Sequence, residues 1–101
     1  ALTQNATEGC NIVLWGFDWQ EGESILLSDS EHNGVIMAVK QLCRRRNLKL
    51  EICRFSKCSN DDEILAELNS AISRSKARFL LYSHVLWNTG KVLPAQKINE
   101  V

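Results

Sequence analysis

Phe79-Leu80-Leu81-Tyr82-Ser83-His84-Val85-Leu86-Trp87-Asn88-Thr89-Gly90-Lys91-Val92-Leu93-Pro94 changes character partway along. Its opening is a continuous apolar run, which predicts a strand over about residues 78–83 buried on both faces. The run gives way to a polar loop with His84, Asn88, Thr89 and Gly90, then reaches Pro94, a favoured first residue of a helix. A buried strand that ends in polar groups just before a helix is where open α/β sheets place ligands.

Working outward, the remaining segments supply the rest of such a sheet. Cys10, Val13, Leu14 and Phe17 fall at i, i+3, i+4 and i+7, which predicts a helix over 6–15 with one apolar stripe. Asn5 is placed to cap it, and Glu8 sits in its first turn, where negative charge is favoured. After the polar turn Asp18–Glu23, Ser24–Ser28 reads as a short central strand. The polar connection Asp29–Gly34 leads to a helix over 34–46 carrying Val35, Val39, Leu42 and Cys43 on one face and closing at Asn47. Residues 48–53 alternate apolar with polar, the pattern of a strand with one wet face, here assigned to the sheet edge. Ser59 and Asp62 suggest a capping box for a helix over 60–74 with Ile64, Leu68, Ala71 and Ile72 as its stripe. A fourth helix begins at Pro94.

Alternating helices and strands imply parallel pairing with right-handed crossovers. The expected fold is a three-layer open α/β sheet of three strands, ordered second-first-third, with helices on both faces. That order opens a switch point between the carboxyl ends of the first and third strands. Residues 29–32 leave one end and residues 83–90 the other, so two polar loops, each with a histidine, are expected at one crevice.

Composition narrows the function classes. At 101 residues and 45% hydrophobic, the chain holds one packed core. Its formal net charge is zero, so no basic field points to nucleic acid or an anionic membrane as a partner. The cluster Arg44-Arg45-Arg46 complements a helix C-terminus. No apolar run approaches the ~20 residues of a membrane span, and the first residues lack a signal-peptide pattern. Cys10, Cys43, Cys53 and Cys58 fit no zinc spacing and read as thiols of a reducing compartment, so a cytoplasmic location is expected and no metal site.

Three places carry candidate chemistry. Asn5-Ala6-Thr7-Glu8-Gly9 joins free backbone N–H groups and a Thr hydroxyl at a helix start, a combination that suits phosphate and, taken alone, equally a plain helix cap. His32, taken alone, is a surface or capping histidine. Asp29 and Glu31 beside it read as capping or solvent-exposed groups. Of the lysines, Lys91 lies nearest the expected crevice, and the others read as solvated.

These segments resemble those of the class V aminotransferases, the pyridoxal 5'-phosphate (PLP) family that includes cysteine desulfurases and cystine lyases. Ala6-Thr7-Glu8-Gly9-Cys10-Asn11 is similar to the family's Thr/Ala-Thr-Glu-x-x-Asn segment. Residues 18–32 are similar to its Gly-Asp-x-Ile-Leu…Glu-His run, and Ser83-His84-Val85…Thr89-Gly90…Pro94 to its Ser-His-Val…Thr-Gly…Pro segment. The three appear in the family's order and span nearly the whole chain. The resemblance implies that Ala6 and Thr7 hold the cofactor phosphate and that His32 stacks on the pyridine ring with a nitrogen near the substrate, which makes it the catalytic candidate. It also implies a cysteine- or cystine-like substrate, a homodimer, and a supporting role for His84.

Many desulfurases carry a ring-contacting Asn where this chain has Trp87, with Asn88 one residue later. Either Asn88 takes that contact through a shifted loop or the contact is absent; Trp87 reads as core or as pocket wall. The Leu-Trp-Asn-Thr-Gly pattern is closer to the cystine lyase branch. The family's Asp-x-Ala-Gln/His run, whose acid holds the pyridinium nitrogen, has no counterpart here, nor does its Schiff-base lysine run. Residues 1–101 are therefore expected to be a truncated, partial PLP-transferase large domain, without PLP catalysis on its own and with apolar surface exposed. The resemblance implies a fragment of a C–S lyase or desulfurase. A non-catalytic α/β remnant acting as a binding module is the alternative.

Overall fold

Ser24–Ser28 forms the central strand, β1, and every one of its residues is buried. A computed structural model describes residues 2–101. In chain order the elements are α1 (Ala6–Gly16), β1, α2 (Asn33–Arg46), β2 (Lys49–Cys53), a single 3-10 turn (Phe55–Lys57), α3 (Asp61–Ser75), β3 (Leu80–Leu81) and α4 (Ala95–Asn99). The three strands are ordered β2-β1-β3, as the alternation of elements predicts. Both pairings are parallel, Ser24 opposite Lys49 on one side and Leu26 opposite Leu80 on the other.

The period of two along β1 divides the core. Ile25 and Leu27 face Leu14 of α1 and Val35, Val39 and Leu42 of α2. Leu26 faces the opposite layer with Phe55, Ile64, Leu68 and Ala71 from the turn and α3, and Ile98 from α4. The two crossover helices thus cover opposite faces, which right-handed connections to opposite neighbours of β1 require.

Helix ends follow local chemistry. The Asn5 side chain caps α1 by accepting the Glu8 N–H at 2.8 Å. Asn47, left-handed at φ 52°, ends α2 directly after three arginines, which suit the negative end of the helix dipole. The cap of α3 is one residue later than the sequence pattern suggests. Asn60 accepts from Glu63 N at 3.0 Å, and the Glu63 carboxylate accepts from Ser59 N at 2.6 Å. The cap is thus built on Asn60 and Glu63 rather than on Ser59 and Asp62, and Glu63 reaches back to the N–H one residue before the cap, where a capping box would take that of the cap residue itself. Pro94 stands at the cap of α4, one position before the first helical residue.

Three expectations about burial do not hold. The apolar stripe of α1 includes Val13 by spacing, yet Val13 is 57% exposed, because only Leu14 with Cys10 and Phe17 at its flanks reaches the sheet. The strand expected over 78–83 and buried on both faces pairs only at Leu80–Leu81 and is half-buried. Leu81 packs against one core layer and Leu80 against the other, but at the sheet edge β1 is the only strand beside them, which leaves both half-exposed. Trp19, within a stretch that reads as a polar turn, is buried; its indole N–H donates to Leu14 O at 2.7 Å. Its ring packs among Phe17 and Phe79, with centroids 4.6 and 5.1 Å away. Arg78 lies over Phe17 at 4.9 Å and pairs with Glu23 at 2.6 Å, closing this aromatic cluster at the amino ends of the strands.

Two measurements probe this core. Leu26→Ala, in the strand shared by both layers, is expected to cost about 2–5 kcal/mol in urea unfolding, a large share of a small domain's stability. Burial pushes the Cys53 thiol from 9.0 up to about 12. A thiol held neutral by the fold contributes its full stabilisation below the unfolded pKa, and that contribution is lost as pH rises through the folded one. Unfolding free energy is therefore expected to fall between about pH 9 and pH 12, and to fall less steeply in Cys53→Ala.

Candidate functional site

The starts of α1 and α2 lie against each other, and the chain leaving β1 meets the chain leaving β3 beside them. At the start of α1, Asn5 accepts the N–H of Glu8, whose carboxylate in turn accepts the Gln4 N–H at 2.6 Å. Asn11 Nδ2 donates to Thr7 O at 2.9 Å and braces the first turn from within. The backbone N–H groups of Ala6 and Thr7 and the Thr7 hydroxyl donate to nothing among the described residues. These groups stand at the positive end of the helix dipole, a setting that favours an anion.

His32 caps α2: its Nδ1 accepts the Gly34 N–H at 3.2 Å. That bond makes Nδ1 the acceptor nitrogen of the ring and leaves Nε2 uncommitted. The side chain is otherwise exposed, so capping fixes the ring without covering its faces. Gly34 is the junction of the two helix starts. A Cβ there would lie 3.3 Å from Thr7 Oγ1 and 3.4 Å from His32 Nδ1, closer than side chains ordinarily pack. Thr7 and His32, twenty-five residues apart by their numbering, are neighbours because residue 34 has no side chain.

The loop after β3 comes to the same place through Glu31. Capping or solvent exposure is what the sequence suggests for this residue, yet it is 4% exposed, and both carboxylate oxygens are engaged by Ser83. Ser83 N–H donates to Oε1 at 2.8 Å and Ser83 Oγ to Oε2 at 2.6 Å. Asp29 makes the matching link on the other side of β1, accepting from Ser56 N at 3.0 Å and from the Ser56 hydroxyl. Burying a carboxylate is costly unless its oxygens are satisfied, and Ser83 satisfies both of those of Glu31; Asp29 is exposed, as the sequence suggests.

Beyond Ser83 the chain makes a small hairpin, with Val85 and Val92 forming an antiparallel bridge. Leu86 N donates to Lys91 O at 2.9 Å and Gly90 N to Leu86 O at 2.8 Å. Gly90 takes φ +71°, a value that glycine adopts without strain. Buried Leu86 and Leu93 pin the base, and Lys91 Nζ donates to Cys58 O at 2.6 Å, so this lysine is a strut between loops. The tip presents Trp87 and Asn88. Trp87 is 64% exposed, which removes core packing as its role, and it meets His32 edge-on with ring centroids 5.7 Å apart. Asn88 is exposed, and its side chain makes no hydrogen bond among the described residues. His84 turns elsewhere, to a shallow recess with Pro94 and Lys97.

The two loops expected at one crevice do meet, through Glu31–Ser83 and His32–Trp87. Thr7 and His32 come together at Gly34, Trp87 touches His32 from the other loop, and Ala6 stands one residue before Thr7. Sequence reasoning missed Glu31, Ser83 and Gly34. Cys10, one turn along from Thr7, has its thiol pushed up by burial and by the Glu31 carboxylate, which favours the neutral form over a nucleophilic thiolate. No helix is long and apolar enough to cross a membrane, and no group of three His, Cys, Asp or Glu could hold a metal, among the described residues.

Comparison with known proteins covers nearly the whole chain. The family model for class V aminotransferases matches residues 1–101. Isopenicillin N epimerase of Streptomyces clavuligerus is 29% identical over 100 residues, covering 99% of this chain and 25% of that protein. Among solved structures, the cystine C-S lyase C-DES in complex with its reaction product cysteine persulfide matches with a TM-score of 0.82 and 39% identity, over 97% of this chain and 26% of that one. A lysine-to-alanine mutant of C-DES, with glycine covalently linked to the PLP cofactor, matches with a TM-score of 0.82 and 38% identity, over 97% of this chain and 25% of that one. The chain thus spans about a quarter of the length of the proteins it matches.

The junction at Gly34 is open to a direct test. Replacing an exposed helical glycine by alanine ordinarily adds up to about 1 kcal/mol. Gly16→Ala, with nothing within 4 Å of the new methyl, is expected to gain a fraction of that. Gly34→Ala is expected to gain nothing or to destabilise, since its methyl meets Thr7 and His32. Thermal unfolding of the two variants side by side decides the point.

Proposed function

The chain belongs to the class V aminotransferase family, and from that premise we propose that it is the phosphate-holding and ring-facing part of a PLP enzyme that breaks a C–S bond of cysteine or cystine. The observation that carries the reading is the meeting of Thr7 and His32 across Gly34. It sets an uncommitted hydroxyl and helix N–H groups beside an imidazole with open faces. Likeness to C-DES, a cystine C-S lyase, at 39% identity supports the choice of substrate.

The residues present fit the cofactor. Ala6 and Thr7 would hold its phosphate dianion with two backbone N–H groups and one hydroxyl, at the favourable end of α1. When bound, PLP supplies an electron sink next to the substrate's α-carbon. His32 would lie against the ring. With Nδ1 committed to Gly34, Nε2 is the nitrogen left to hold or move a proton at the substrate. Trp87 would close one side of the site to water, and Asn88, with no internal partner, is free to meet the ring oxygen.

A Schiff-base lysine and a pyridinium-binding acid are required as well. Lys91 is tied to Cys58 O and Lys97 to Asp61, so neither serves. We place both missing groups in further sequence of a complete polypeptide, of which residues 1–101 are part of the large domain. The share of about a quarter of each matched protein supports this. A homodimer follows from the same family reading, and four free cysteines suit a cytoplasmic setting.

One observation favours a second reading. Isopenicillin N epimerase is 29% identical across 99% of the chain. A lyase and an epimerase share removal of the α-proton; the lyase then expels the β-substituent, whereas the epimerase returns a proton to the other face. Thr7, His32 and Trp87 serve the shared step equally.

The complete polypeptide, loaded with PLP and given L-cystine, separates these readings. A lyase releases pyruvate and persulfide sulfur, whereas an epimerase changes substrate chirality with no release. Thr7→Ala removes a hydrogen bond to a charged group worth about 1.5–3 kcal/mol, so cofactor affinity is expected to drop on the order of 10- to 100-fold. Unchanged cofactor affinity in Thr7→Ala would sink the phosphate assignment, and intact cystine would sink the lyase.

A further inference from the structure

We infer that Glu31 is a positioning residue for His32. Its carboxylate clamps the loop leaving β1 to the loop leaving β3 and so sets where the imidazole stands relative to Trp87. The inference deepens the reading above and rests on it where it assigns His32 to the cofactor ring; the clamp itself stands on geometry alone.

The loop Asp29-Ser30-Glu31-His32 is held from both sides. Towards β2, the Asp29 N–H donates to Cys53 O at 2.9 Å, and its carboxylate accepts from Ser56. Towards β3, both oxygens of buried Glu31 are taken by the N–H and hydroxyl of Ser83. β3 itself offers little hold, since it pairs with β1 only at Leu80 and Leu81. From Ser83 onward, the Glu31 carboxylate is the side-chain anchor that joins the third strand's exit to the first strand's exit.

His32 follows Glu31 directly, and its ring is locked by the Gly34 bond, so it moves with the β1 loop. Trp87 lies four residues past Ser83, on a hairpin fixed by buried Leu86 and Leu93, so it moves with the β3 loop. The 5.7 Å ring separation spans two bodies, and Glu31–Ser83 is the side-chain bond between them nearest to it. A glutamine at 31 could accept from the Ser83 N–H and donate to the hydroxyl oxygen. The clamp therefore needs the shape and polarity of the side chain rather than its charge.

The test is a coupling measurement on the complete polypeptide without cofactor. The imidazole Cε1–H resonance of His32, assigned by its loss in His32→Gln, is recorded with and without Trp87→Ala. This is done in the unsubstituted chain, Glu31→Gln, Glu31→Ala and Ser83→Ala. Loss of the indole is expected to shift His32 in the unsubstituted chain and in Glu31→Gln. In Glu31→Ala the Trp87-dependent shift is expected to be largely lost, and in Ser83→Ala reduced. A general loss of stability would leave that shift intact in whatever molecules remain folded.

A folded Glu31→Ala chain with the full Trp87-dependent shift overturns the inference, as does a His32 resonance that ignores Trp87 in the unsubstituted chain. If Glu31→Ala does not fold, Ser83→Ala decides, because it removes one of the two bonds and keeps the backbone one. No cofactor takes part, so a negative result bears on the clamp, while the phosphate assignment stands or falls with Thr7→Ala.

Discussion

Parallel pairing of β1 with a neighbour on each side is the constraint from which the rest of the molecule follows. A strand paired on both edges and covered on both faces has no solvent-facing side chain, which is why Ser24–Ser28 is buried throughout. Parallel neighbours also send all their chain exits to one end of the sheet. Because the first crossover runs from β1 to β2 and the second returns from β2 past β1 to β3, the exits of β1 and β3 stand side by side with no strand between them. Whatever polar groups those two exits carry must then meet, and must satisfy one another or a ligand. Glu31 and Ser83 satisfy one another; Thr7 and the faces of His32 are left over.

The fold was legible because its signals are local. Hydrophobic period, cap residues and the one wet-faced strand fix each element and, through chirality, the order β2-β1-β3. What was not legible depends on neighbours distant in sequence. Val13 has the spacing of a core residue, but α1 meets the sheet along too narrow a line to cover it. Trp19 sits among polar residues and is buried because Phe79, sixty positions later by its number, offers it a ring. The apolar run at 79–82 promises a long buried strand, and edge position shortens it to two paired residues.

The site divides the same way. Taken alone, Thr7 reads as part of a helix cap and His32 as a surface or capping histidine, and only the resemblance to class V aminotransferases singles them out as site candidates. Gly34 contributes by having no side chain, and nothing in the sequence says which atoms will occupy the space it leaves. Glu31 reads as a solvated acid in a polar loop, and only the tertiary structure supplies the Ser83 N–H and hydroxyl that allow its burial. The signal available was the adjacency itself: an acid just before the histidine of one strand exit, and a serine at the other exit.

The missing methyl at Gly34 has an electrostatic consequence. It lets two helices begin within a few ångströms of each other, with their positive ends converging on the same small volume. Like partial charges brought together repel, so the two helix starts set a region of positive potential beside Thr7 and Gly34. On the proposed phosphate assignment, an anion held there would relieve both dipoles at once. Occupancy and folding would then be thermodynamically linked, the bound phosphate acting as a structural counterion that lends the native state RT ln(1 + [L]/Kd) of added stability.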